Sequence, residues 1–349
     1  MNITFCFSIW FLTTTLIFSE EQDINGSLIS NDTLFPSLNE WESSPRSLEM
    51  KLFLIPPTLC LLASLLVTPL ILFTIFSNFY IRQETRYLLL GNAMLCDLLY
   101  LLFYTLSTSF NVADFRLPRE GCVILMFLLA LTYCGGLLSS VGMVLDTYLA
   151  ILWPLQYTAL MTSSRTKKLI LFLWVASGLF HAMLFFILWV TQEGTLCPVE
   201  ICSVPVILVM ILHGDHAVKL CYALSVLSFL LCLLFITFCY FSLYFKTRQS
   251  DIWHSAFSRA RVTFLLHHTL LFLYFCPFCI LLVEILLYLN DIIGMRTGIL
   301  VSLTVCDIFL VLPKALSPYF YGLRYRDITQ SLQLLFSLKR LNLGALDIP

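Results

Sequence analysis

GCVILMFLLALTYCGGLLSSVGMVL, residues 121–145, runs for 25 residues without an Asp, Glu, Lys or Arg. As a helix it spans about 37 Å, more than a hydrocarbon core of about 30 Å. Six further stretches are of similar length and nearly as apolar: 52–81, 87–110, 169–192, 216–245, 262–288 and 297–321. With 59% hydrophobic and 12% charged residues, a soluble core could not hide seven such segments. In lipid, a spanning segment must satisfy its own backbone hydrogen bonds, and a helix does so. The expected fold is an all-α membrane protein, a seven-transmembrane helix bundle over residues 51–322. A tail of 1–50 precedes it, and a tail of 323–349 follows.

The connectors sort by charge. Arg82, Arg86, Arg165, Lys167, Lys168, Lys246, Arg248, Arg259, Arg261, Arg324, Arg326, Lys339 and Arg340 all fall on one side of the membrane. The other side carries fewer bases, and the first 50 residues hold seven acids against the single base Arg46. By the positive-inside rule the N-terminus is extracellular and the C-terminus cytoplasmic. Sequons at Asn2, Asn25 and Asn31 are expected to carry glycans on that outer tail. Residues 1–19 read either as a signal peptide or as part of the tail; in the first case Asn2 is lost. Beyond the last span, Ile328, Leu332, Leu335 and Leu338 recur at helical spacing among bases. That pattern predicts a short amphipathic eighth helix on the inner leaflet.

Most of the 13 cysteines lie within spans and are expected to pack as small apolar groups. Cys122, Cys197 and Cys202 fall on the outer side, where one disulfide is expected. Cys276 and Cys279 match a redox spacing by letters only, since they sit in mid-span. His267 and His268 are neighbours on different faces of a helix and cannot chelate together. Neither a nucleophile–base pair nor a phosphate loop is present, so no enzyme activity, cofactor, metal or nucleic-acid partner is expected.

Ordered motifs carry a resemblance over nearly the whole membrane region. GNAMLCDLL places Asp97 in the second span, and Cys122 precedes Asp146 by 24 residues. Asp146-Thr147-Tyr148 runs into AILWPLQY; Trp174, Pro277 and Ser317-Pro318-Tyr319-Phe320-Tyr321 follow in order. Together these resemble the rhodopsin-like G-protein-coupled receptor family. The resemblance implies a receptor that binds an extracellular ligand and relays to a cytoplasmic transducer, a heterotrimeric G protein or arrestin. It implies a disulfide from Cys122 to Cys202, with Cys197 as the alternative. The implied transducer face is Asp146, Thr147, Tyr148, Pro154, Arg259, Arg261 and Tyr321.

The departures from the family pattern are specific. Thr147 stands where the triplet has arginine, which puts ordinary coupling in question. Phe275 stands at the sixth-span tryptophan position, Pro69 at the first-span asparagine and Ser317 at the seventh-span asparagine. Lys314 lies one turn before Pro318, on the face that meets the second span in this family. An Asp97–Lys314 ion pair is therefore expected, its ammonium in the place of the sodium ion that family members usually hold. The alternative has Lys314 reaching away to the interface and Asp97 protonated. Asp307, seven residues earlier, is read as a pocket residue or as a bundle-bracing acid. Leu129 occupies the place of the aspartate found in amine receptors. The implied pocket is Leu129, Phe275, Glu284 and Asp307. Competing readings are a receptor-shaped dimer partner or ligand sink, an odorant receptor, and a transporter.

Overall fold

The computed structural model describes residues 51–191 except 114 and 116, residue 202, residues 216–248, single helical positions between 269 and 287, and residues 301 and 304–324. No strand occurs among them. The first span is α1 (Ile55–Ser77), which opens on Pro56 and Pro57, where missing N–H groups cost nothing. It ends earlier than the apolar run suggests. Asn78 turns to extended backbone, and its side chain accepts from the Tyr80 amide to start the short α2 (Phe79–Gln83). Glu84 is extended in turn and begins α3 (Thr85–Val112), the second span.

The third span, α4 (Arg119–Leu152), is followed by a loop helix, α5 (Pro154–Leu160). The fourth and fifth are α6 (Ser163–Thr191) and α7 (His216–Arg248). The described part of the seventh is a π-helical segment, Cys306–Val311, continued by α8 (Leu312–Arg324). Pro313 lacks the N–H that would close a regular turn on Phe309, and the chain widens just before it. Four described segments are long and apolar enough to cross a membrane: Ile55–Ser77, Thr85–Val112, Glu120–Leu152 and Ser163–Ile187.

Burial ranks these helices. α3 packs on α1, α4, α6 and α8 and is buried along most of its length. α6 is hardly buried and turns Leu171, Phe172, Leu179 and Phe186 outward, as a lipid-facing helix does. The close α3–α4 approach depends on glycine, because lipid offers little hydrophobic drive between helices. A Cβ at Gly135 would lie 3.0 Å from the Cys96 sulfur, and one at Gly136 would lie 3.1 Å from an Asp97 oxygen. One core gathers around Tyr100, Tyr104, Leu129, Tyr133, Leu137 and Val311. A second, toward α2, gathers Ile71, Ile75, Leu89, Met94 and Met143.

Candidate functional site

Two polar rungs join α3 to the seventh span. In the first, the Lys314 ammonium lies 3.0 Å from Asp97 Oδ1. The Ser317 hydroxyl donates to Asp97 Oδ2 at 2.8 Å. Lys314 is fully buried and Asp97 is 2% exposed. The ammonium also sits 4.7 Å from the ring centroids of both Tyr100 and Tyr133, in the notch between them. A desolvated cation over an aromatic face gains about 2 kcal/mol or more. Buried charge is tolerated only when paired and hydrogen-bonded, and here both partners are. A sodium ion beside Asp97 does not fit this arrangement. Each carboxylate oxygen already has a donor, and the incoming ion would stand against an ammonium.

The second rung lies seven residues away on both helices. The Tyr104 hydroxyl donates to Asp307 Oδ1 at 2.9 Å, with Asp307 6% exposed. Asp307 falls within the π-helical segment, in its first turn. Stacked Tyr100 and Tyr104, 6.0 Å between centroids, fill the space between the rungs. Leu129 is buried in the same core, 2% exposed. Asp307 has no cation paired with it among the described residues.

The end of the bundle where α3 finishes is closed by the Cys122–Cys202 disulfide, with 5.7 Å between Cα atoms. Residue 202 is further held by α3. Asn111 accepts from its amide at 3.0 Å and donates to its carbonyl at 2.9 Å, and Ser107 donates to the same carbonyl at 2.6 Å. A second network ties three spans together midway. The Trp174 indole donates to Asn92 at 3.0 Å, and Asn92 donates to Ser139 at 2.7 Å.

At the opposite end, Asp146 is fully buried. Tyr157 of α5 donates to its Oδ1 at 2.7 Å, and the Arg86 Nε of α3 lies 3.7 Å from its Oδ2. Burial raises the Tyr157 phenol above its ordinary range, and the hydrogen bond to Asp146 raises it further, so it remains a donor. The Thr147 hydroxyl donates back to the Met143 carbonyl of its own helix at 2.9 Å. Tyr148 packs edge-on to Trp153, which precedes Pro154 at the start of α5. Thr85 and Thr166 share a 2.8 Å hydrogen bond that fixes α3 to α6 beside this cluster.

The structure thus brings Asp97 to Lys314 and Cys122 to Cys202, and it stations Asp146, Thr147, Tyr148 and Pro154 at one end. Tyr321 lies in α8. Cys197, Phe275, Glu284, Arg259, Arg261, the sequons at Asn2, Asn25 and Asn31, and the expected eighth helix lie outside the described residues. Sequence reading missed Arg86, Tyr157, Asn111, Tyr133 and Gly136. Gly135-Gly136 was legible as a close-approach signal, but its target depends on helix register.

A seven-helix receptor architecture with these motifs matches a known family model. The family is the 7 transmembrane receptor (rhodopsin family), matched over residues 69–321, and the chain belongs to it. Its relatives include human probable G-protein coupled receptor 148, 31% identical over 297 residues, covering 81% of this chain and 82% of that protein. Rat olfactory receptor-like protein I9 is 26% identical over 237 residues, 64% of this chain and 70% of the relative. Human olfactory receptor 4K3 is 32% identical over 126 residues, 35% of this chain and 38% of the relative.

Proposed function

We propose that this rhodopsin-family receptor acts at the plasma membrane, with residues 1–50 outside and 323–349 in the cytoplasm. An extracellular ligand enters at the disulfide end, among Leu129, Phe275, Glu284 and Asp307. The observation that carries this reading is Asp307: a buried carboxylate in that half of the bundle, held at one oxygen by a phenol. A buried acid with no paired cation among the described residues is suited to receive a cationic ligand group. Leu129 in place of an acid argues against an amine anchored from the third span. The relay runs through Asp146, Thr147, Tyr148 and Pro154, with Arg259, Arg261 and Tyr321, to a heterotrimeric G protein or arrestin. Such a relay needs a ligand that binds two conformations with different affinity.

A second reading, in which the chain has lost or altered its coupling and serves as a dimer partner or ligand sink, is favoured by Thr147. That hydroxyl bonds back to its own helix and offers no cation to a transducer. Transducer recruitment in cells, screened with small-molecule libraries, separates the two. The unmodified chain should recruit G protein or arrestin with some ligand, and Thr147→Arg should raise basal or ligand-driven recruitment at equal surface expression. Silence of both chains across all transducers would support the second reading. An odorant reading would show instead as responses confined to neutral volatile ligands.

A further inference from the structure

The buried Asp146 carboxylate is held from outside its own helix. One oxygen takes the 2.7 Å hydrogen bond from Tyr157, while the other has no hydrogen bond and meets Arg86 at 3.7 Å. The two partners come from elements on either side: Arg86 from the first turn of α3, Tyr157 from the loop helix α5. The pairing is asymmetric. Asp146 has no access to solvent, whereas the Arg86 side chain is 41% exposed and can return to water at little loss. Asp146, once deserted, would remain a stranded charge unless the end of α4 opened to water.

We propose that Arg86 and Tyr157 form a clasp on Asp146, built from two segments outside its own helix. The clasp fixes α5 against the end of α4, and Arg86 is its releasable half. When Arg86 withdraws, the buried charge is relieved only if the end of α4 opens to water, and that opening loosens the seat of Tyr157 and α5. Leu155, 93% exposed on α5, then changes its position relative to the bundle. The clasp stands on geometry alone; its part in signalling rests on the receptor reading above.

Hydrogen–deuterium exchange of the purified full chain tests the clasp without a ligand or transducer. The reporters are the amides in and just after α5 that bond to Trp153 and Tyr157, namely those of Gln156, Tyr157 and Met161. Tyr157→Phe should speed their exchange about tenfold. Arg86→Gln should speed it about twofold to fivefold, and Arg86→Lys should restore protection, because the contact is ionic and not a directed hydrogen bond. Salt near 1 M should speed exchange in the unmodified chain but not in Arg86→Gln. Unfolding temperatures, and exchange in α6 as an internal reference, identify any variant that has simply lost its fold. Unchanged α5 exchange in a folded Arg86→Gln, or failure of lysine to rescue it, would overturn the proposal. Absence of signalling in cells would bear only on the receptor reading.

Discussion

Replacing Lys314 by methionine should lower the stability of the purified receptor by about 3–5 kcal/mol, because it removes the ammonium from a buried Asp97 carboxylate that the Ser317 hydroxyl does not neutralise. Asp97→Asn should be milder. The ammonium it strands keeps the rings of Tyr100 and Tyr133 at 4.7 Å. The double variant should recover most of the loss. Neither position is then charged, the introduced thioether fits the aromatic notch, and an amide oxygen at position 97 still accepts from Ser317. Thermal unfolding of the four proteins in one detergent gives the coupling directly. Additive losses would mean that the two groups do not hold each other.

The other large effect lies at the disulfide. Cys122→Ser should destabilise the bundle mouth by about 2–5 kcal/mol, by analogy with native disulfides of small domains, and reduce surface expression. Residue 202 would keep its hydrogen bonds to Asn111 and Ser107, so it would stay near α3 but lose its tie to α4. Asn111→Ala added to Cys122→Ser should therefore reduce expression beyond either change alone. Non-reducing peptide mapping should show a 122–202 bridge. A free Cys122 thiol in surface-expressed protein would contradict it.

Which features were legible depended on how local their cause is. The spans were readable because their apolar length is a property of contiguous residues, as in 121–145. Asp97 and Lys314 stood out because a charge within such a run is costly and needs a partner. The end of α1 was misplaced because NFYI continues the apolar run past Ser77, while the break comes from one side-chain cap by Asn78. The Arg86 partnership had no local sign. Residues 86 and 146 meet only after α3 and α4 cross, and Arg86 reads as one more positive-inside residue. Asn111 likewise reads as a helix-end polar residue until residue 202 is laid against it. The π-helical turn at 306–311 was signalled only faintly, by Pro313 just beyond it.

The central claim is that this receptor carries its own cation at Asp97. A sodium titration of thermal unfolding tests it most directly, run on the unmodified chain and Lys314→Met at constant ionic strength, with choline as the balancing cation. With Nζ 3.0 Å from Oδ1 and Ser317 on Oδ2, sodium should leave the unfolding temperature of the unmodified chain unchanged relative to choline. Lys314→Met, with its carboxylate deserted, should gain a sodium-specific rise. A clear sodium-specific stabilisation of the unmodified chain would contradict the claim, since it would place a diffusible ion where the structure has Lys314.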